Sequence, residues 1–417
     1  MAFKFLHLAD VHLDTPFQSK DRQLRLFLRE SIRKAFQKAV DLALSQRVNA
    51  VLIAGDLFDN DTLSFATERF ILEQMERLKD ARVMVFYAPG NHDPAGVAYR
   101  RSTIQWPDNV KVFNSLKPEV CPVRDEQGRP LAYVVGAGHE SQHERGNLVK
   151  NFPPPDHANI PYIGLAHVWV MGSQGEAEHD RYAPCTLEDL LAKGYTYWAL
   201  GHIHTRAHLW EQPPVVYPGN LVGRNFREDG LKGAYLVEIY GAGEARTIFH
   251  PLAPVCWTSF RVDNLSAAKS LADLQKHIRE TVIARLEDGQ PTGDIIARML
   301  LEGPSPLYKE LENEDNIREL EEYLLVSLEF RHAEVIAEGV ARPVIPNDYR
   351  GQPHILGVAL DMLEKAKTQP DLLMRLKPER LAGCAADAPE EILSYLSDLL
   401  DGMEYDVAAR LLEEEGI

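Results

Sequence analysis

Residues 83–93 read Val-Met-Val-Phe-Tyr-Ala-Pro-Gly-Asn-His-Asp, an apolar run of strand character that stops at a glycine and then offers an amide, an imidazole and a carboxylate. Four other segments repeat this grammar. Phe3-Lys-Phe-Leu-His-Leu-Ala9 leads into Asp10-Val-His12, Ala50-Val-Leu-Ile-Ala54 into Gly55-Asp56, Tyr162-Ile-Gly-Leu-Ala166 into His167, and Tyr195-Thr-Tyr-Trp-Ala-Leu200 into Gly201-His202-Ile-His204. Each alone is ordinary turn chemistry. Together they form a pattern, because the carboxyl ends of strands in an open parallel or mixed sheet line one crevice. Asp10, His12, Asp56, Asn91, His167, His202 and His204 are therefore expected to converge. The glycines beside Asp56, Asn91 and His202 permit tight turns and a close approach of backbone to a bound group.

Outward from these segments, the first 250 residues alternate apolar runs with helical spacing, an α/β pattern. Strands are expected at Phe3–Leu8, Ala50–Ala54, Val83–Ala88, Leu131–Gly136, Tyr162–Ala166, Tyr195–Leu200, Val215–Tyr217 and Ala234–Ile239. Helices over Asp21–Leu44 and Leu63–Leu78 are long enough for right-handed crossovers between parallel strands. The pattern resets near His250-Pro-Leu-Ala-Pro254. Beyond it, strand Trp257–Val262, helix Ser270–Glu287, strand Asp294–Glu302, helix Ile317–Leu325 and strand Val326–Glu334 compose a small α+β domain. A second break at Arg342-Pro-Val-Ile-Pro346 leads to a helical tail with an apolar face of Ile392, Leu393, Leu396, Leu399 and Leu400. The expected division is 1–252, 253–342 and 343–417.

With 417 residues, 45% hydrophobic and 26% charged, the chain has the balance of a globular protein rather than a disordered or fibrous one. Its 45 Lys+Arg against 62 Asp+Glu give a formal charge of −17, so binding to nucleic acid requires a local basic patch. From Asp387 onward, 10 acidic residues face one basic residue, Arg410. Cys121, Cys185, Cys256 and Cys384 lack paired-thiol spacing, which fits a reducing cytoplasm and argues against a thiolate zinc site. The start of the chain does not read as a secretory signal, and no apolar run reaches the length of a spanning helix.

Carboxylates, imidazoles and one amide suit manganese, iron or zinc, whereas magnesium and calcium prefer mainly oxygen. Seven donors exceed one coordination sphere and suit two ions. Asp56, central in the set, is the expected bridge.

The order Asp-x-His, Gly-Asp, Gly-Asn-His-Asp, His, Gly-His-x-His resembles the calcineurin-like metallophosphoesterase superfamily over roughly residues 1–250. The resemblance implies a four-layer α/β/β/α sandwich with two metals at the strand ends. One metal would take Asp10, His12, Asp56 and His204, the other Asp56, Asn91, His167 and His202. His92 corresponds to the family's catalytic histidine, acting on the leaving group while a metal-activated hydroxide attacks phosphorus. Asp93 either orients His92 from behind or caps its turn; Asn220 either lines the site or serves a turn.

The opening Phe5-Leu-His-Leu-Ala-Asp-Val-His-Leu-Asp-Thr-Pro-Phe17 resembles the DNA-repair exonuclease branch, which includes SbcD-like nucleases and YhaO-like proteins. Asp14-Thr-Pro-Phe17 is nearer the YhaO-like pattern. The branch implies a small α+β cap, DNA as substrate, an SMC-like coiled-coil ATPase as partner and, commonly, a homodimer. Arg22, Arg25, Arg29 and Arg33, spaced 3, 4 and 4, form one helical stripe that either holds a phosphate backbone or is a solvated face. Lys20, Arg100, Arg101, Arg224 and Arg227 are candidates to extend it. The tail face either fills a groove on the ATPase or packs on its own domain. The leading expectation is a cytoplasmic two-metal DNA nuclease, manganese being favoured over iron, zinc or magnesium. The alternatives are a nucleotide phosphatase or cyclic-nucleotide phosphodiesterase, and a non-catalytic binding module.

Overall fold

The computed structural model describes residues 3–414 except 20, 60–62, 97–103, 158, 174–180, 242, 290–292, 344–345, 376–388 and 401–402. Lys20, Arg100, Arg101, Cys384 and Asp387 thus lie outside the described residues, as does the side chain of Ile392. Two compact units divide the chain. The first holds Met1–Phe260, Thr281–Met299 and Glu321–Glu334, the second Arg261–Glu280, Leu300–Leu320 and Val335–Ile417.

In chain order the first unit begins β1 (Phe3–Leu8), α1 (Arg22–Ser45), β2 (Ala50–Ala54), α2 (Phe65–Asp80), β3 (Met84–Ala88), β4 (Val110–Val112), β5 (Glu119–Arg124) and β6 (Pro130–Ala137). It continues with β7 (Tyr162–His167), α3 (Leu187–Leu191), β8 (Tyr197–Gly201), β9 (Ala207–Glu211), β10 (Pro214–Tyr217), β11 (Gly233–Tyr240) and β12 (Glu244–Pro251). One sheet has the order β12-β11-β1-β2-β3-β4 and the other β5-β6-β7-β8-β10-β9. β1 to β4 run parallel, as do β6, β7, β8 and β10.

Alternation of side chains along each strand builds the layers. Phe5, Leu52 and Phe86 from the first sheet meet Ile163, Tyr197 and Val216 from the second in an apolar core. The opposite face of the first sheet, with Leu6, Val51, Ile53 and Val85, is covered by α1 and α2. In α1 the buried residues Leu24, Leu28, Ile32, Ala35, Phe36 and Ala39 recur every three or four positions, and Asp21 caps the start by accepting from the Gln23 amide. Val135, Trp198, Leu200 and Val215 face outward from the second sheet onto Leu148, Val149 and Leu190. The result is the expected α/β/β/α order. Burial of each large apolar side chain contributes about 1.5–3 kcal/mol before entropy is subtracted.

The remaining elements are β13 (Val255–Val262), α4 (Leu271–Gly289), β14 (Asp294–Pro304), α5 (Glu314–Ser327), β15 (His332–Ala341), α6 (Ile355–Thr368), α7 (Pro370–Arg375), α8 (Pro389–Leu400) and α9 (Met403–Glu414). β13, β14 and β15 form a three-stranded sheet in that order. The last strand begins at His332 rather than Val326, because α5 continues to Ser327 and Glu329 turns the chain with φ 56°. Within the second unit, Leu396 and Leu400 of α8 are buried against Ala366 and Leu373, with Leu393 packed at the edge. Most of the expected docking face is therefore covered by its own unit; Leu399 stays exposed. No described helix is long and apolar enough to cross a membrane.

Candidate metal centre

Asp10, Asp56, Asn91 and His202 follow the carboxyl ends of β1, β2, β3 and β8, and His167 ends β7. The backbone there is bent hard. Asp10, His12, Asp56 and His202 all have positive φ, at 50°, 52°, 47° and 106°. Asp and His tolerate this region better than branched residues, and such strain gathers at functional sites. Hydrogen bonds between loops hold it: the Asp10 amide donates to Gly55 O at 3.2 Å and the His12 amide to Asp56 O at 2.9 Å.

These bends bring all seven sequence-chosen donors into one connected, mostly buried cluster. Asp10, His12 and His204 offer ligand atoms within 4.8 Å of one another, as do Asp10, Asp56 and His167, and also His12, Asp56 and His92. His167 Nε2 lies 3.4 Å from Asp56 Oδ2. Asn91 Oδ1 is 3.0 Å from His167 Nε2 and 3.2 Å from His202 Nδ1. Asp56 thus stands where the two halves of the set meet.

The donor chemistry fits cations. His12 Nδ1 faces Asp59 Oδ1 at 2.9 Å and His204 Nδ1 faces Glu228 Oε1 at 2.8 Å. Both carboxylates are acceptor-only and favour the proton on Nδ1 of each ring, against the Arg224 guanidinium that stands 3.1 Å from His204 Nδ1. That leaves two Nε2 lone pairs pointing at each other across 3.2 Å. Two neutral lone pairs at this distance repel unless a cation takes them. His167 is set the same way, its Nδ1 2.9 Å from Ala54 O and its Nε2 toward Asn91. Carboxylates and carbonyls behind the ring are the usual support of a metal-binding histidine. Burial keeps these imidazoles neutral, lowering His12 and His204 and taking His167 down to about 3. Burial and the charge of Asp56 raise Asp10. Burial also opposes ionisation of Asp56, but His167, His92 and His12 prevail and hold it low. Two buried carboxylates packed together call for positive charge between them.

Three residues that no local spacing connects to the motifs complete the centre. Asp59 accepts from Thr15 Oγ1 at 2.8 Å and lies 3.0 Å from His92 Nδ1, so it supports His12 and His92 together. Its one sequence signal is position, closing the loop that Gly55-Asp56 opens. Glu228 supports His204, and Arg224 bridges the two carboxylates at 3.5 Å from Asp59 and 3.2 Å from Glu228. Burial works to lower His92, yet the Asp59 bond and the charges of Asp56 and Asp59 lift it to about 9. Asp93 caps its own turn, accepting from the Gly90 amide at 2.7 Å, and ties that turn to the next loop through the Leu57 amide at 2.6 Å. Asn220 is fully buried, its amide group donating to Val222 O and Glu228 Oε2.

The arginine stripe is only partly available. Arg33 donates to Thr67 Oγ1 at 2.8 Å and reaches Asp14. Arg29 Nε donates to Thr15 O at 3.1 Å, and Arg25 donates to Ser19 O. Arg22 is exposed.

Close packing makes Gly201 irreplaceable. A Cβ there would sit 1.7 Å from Ala54 O and 2.9 Å from His167 Nδ1. Gly201→Ala is expected to cost about 3 kcal/mol in urea unfolding and to weaken manganese binding. Wild-type values for both would contradict this packing.

The model of the calcineurin-like phosphoesterases matches residues 3–206. A protein of Bacillus subtilis (strain 168) named "Uncharacterized metallophosphoesterase YhaO" is 34% identical over 306 residues, 72% of this chain and 72% of that one. The "DNA double-strand break repair protein Mre11" of Aeropyrum pernix is 30% identical, covering 56% of this chain and 57% of its own. One component of the nuclease SbcCD of Escherichia coli (strain K12) is 23% identical, covering 60% of this chain and 68% of its own. With a helix-flanked pair of mixed sheets, an Asp/His cluster suited to divalent metal and a relative at this identity and coverage, the chain belongs to the calcineurin-like phosphoesterases.

Proposed function

We propose that the chain is a metal-dependent DNA phosphodiesterase using two divalent cations, with manganese chosen among the manganese, iron and zinc that its nitrogen and oxygen donors suit. The observation that carries this reading is the continuous donor cluster around Asp56, with His12, His167 and His204 each turned by a partner behind the ring. Asp10, His12 and His204 would hold one cation and Asn91, His167 and His202 the other, with Asp56 shared. Bound there, the metals lower the pKa of a water and offset phosphoryl charge. His92, 3.0 Å from Asp59 through Nδ1 and lining the same cavity as Asp56, would protonate the departing oxygen. Asp59 keeps that imidazole charged and turned.

DNA is favoured as substrate by the names of two relatives, one part of a nuclease and one a double-strand break repair protein. The crevice is compatible with it. Its cavity of about 260 Å³, lined by Asn91, His92, Arg224 and Arg227 among others, lies near the lower end of the roughly 300–1,000 Å³ of small-molecule pockets. It suits one phosphodiester with the rest of the strand outside. In this reading residues 253–342 cap the catalytic part, the protein works in the cytoplasm as a homodimer, and its partner is an SMC-like ATPase. Leu396 and Leu400 of α8 pack on their own unit, so among the described apolar side chains of that helix such a contact would have only the exposed Tyr395 and Leu399 to use.

Linear duplex DNA and cyclic nucleotides, each with manganese, separate the readings. The expected result is release of nucleotides or short fragments from the duplex, with little turnover of cyclic nucleotide. Faster turnover of the cyclic nucleotide would refute DNA as the substrate.

A further inference from the structure

We propose that the turn Arg224–Glu228 is a braced wall of the substrate groove, and that Arg227 grips the phosphate next to the one being cleaved. This inference rests on the nucleic-acid reading of the site. Arg224, Asn225, Arg227 and Glu228 line the same cavity as Asp56 and His92.

The turn is pinned from inside. The Arg227 amide donates to Asn225 Oδ1 at 2.8 Å, and the Arg224 amide donates to Glu228 Oε2 at 2.8 Å. It is also pinned from below. Phe226 meets the edge of Trp257 at 4.8 Å and the guanidinium of Arg298 at 3.9 Å. Arg298 is in turn fixed by Glu334 at 2.8 Å, and Trp257 Nε1 donates to Gly223 O at 2.6 Å.

The two arginines of this turn differ in what they have left to offer. Arg224 is committed to Asp59 and Glu228. Arg227 is exposed, and its guanidinium has no hydrogen bond or ion pair among the described residues. A fixed backbone spares the backbone part of the ordering cost when this guanidinium binds an anion, leaving only the side chain to be ordered. Arg227 borders the cavity without touching the donor cluster, so its charge falls beside the scissile group rather than on it. A nucleic-acid strand places its next phosphate there, whereas a diester with a single phosphate does not. In a chain of net charge −17, a cation held at this mouth also offsets the general repulsion of a polyanion.

The test compares wild type, Arg227→Ala and Arg227→Lys. Fluorescence anisotropy with calcium present follows binding of a labelled duplex from roughly 50 to 200 mM salt. Turnover with manganese is followed on that duplex and on bis(p-nitrophenyl) phosphate, a diester with a single phosphate. Arg227→Ala is expected to weaken duplex binding about tenfold and to flatten the slope of log affinity against log salt by about 0.9. Its ratio of kcat/KM for duplex over small diester should fall by a similar factor, with Arg227→Lys restoring the slope. A wild-type slope and ratio in Arg227→Ala would overturn the inference. Wild-type protein that hydrolyses the small diester yet does not bind duplex would overturn the nucleic-acid reading itself.

Discussion

Asp56→Asn is expected to lower phosphodiester hydrolysis by about a thousandfold or more, the several kcal/mol of charge stabilisation that bound cations supply. The replacement is close to isosteric and preserves the local frame. Asp56 Oδ1 accepts from the His92 amide at 2.9 Å, which an asparagine oxygen also does, and the Asp56 amide remains on Asp93. What disappears is the charge at the junction of the two donor groups. The stability readout separates this from misfolding. Burial and the charge of Asp56 raise Asp10, so removing that charge relieves a buried repulsion. Asp56 itself is held low, against burial, by His167, His92 and His12, so losing that attraction outweighs the relief and the metal-free variant should unfold somewhat below metal-free wild type. Manganese should raise the unfolding temperature of wild type and leave the variant nearly unmoved. Calorimetry with and without manganese checks both signs; a variant stabilised by the metal as strongly as wild type would deny Asp56 the shared position.

His92→Gln should keep the metals and lose the chemistry. Proton transfer by a positioned imidazole contributes about 10²- to 10⁴-fold, and a fall of that size in kcat with unchanged manganese content is the expected result. The protonated ring is the active form, so activity is present below its pKa and fades above it. In the protein without metal that pKa is lifted to about 9, against burial, by the Asp59 bond and by the charges of Asp56 and Asp59. Cations on Asp56 offset part of this lift. The alkaline limb of the rate profile should then lie between the ordinary imidazole value of about 6.5 and about 9. Asp59→Asn should move the limb toward lower pH, whereas a role confined to packing would leave it in place.

The central strands were legible because they are buried on both faces and run apolar without interruption, as in Ala50–Ala54 and Tyr162–His167. The four strands that no apolar run announced are β4, β5, β9 and β12, and these are the four edges of the two six-stranded sheets. Edge strands need only one partner and carry more polar and exposed residues, as Glu119–Arg124 does with Pro122 inside it. Val326-Ser-Leu-Glu-Phe330 misled in the opposite direction. Its period of two imitates a strand, but helix α5 carries on through Ser327 and leaves Val326 exposed.

The site divides along similar lines. Each donor that directly follows a strand announced itself, because strand, glycine and polar residue are neighbours in sequence. Asp59, Glu228 and Arg224 belong to loops that meet the donors only after folding, as does the 192-residue separation that His12 and His204 close. The cap of Asp93 on the Gly90 amide lies within its own motif, but its bonds to the Leu57 and Phe58 amides of another loop left no local sign.

The most direct measurement is anomalous diffraction at the manganese edge from crystals grown with that metal. The account predicts two peaks, both in contact with Asp56, one shared with Asp10, His12 and His204 and the other with Asn91, His167 and His202. A single peak, or metal bound away from Asp56, would contradict it.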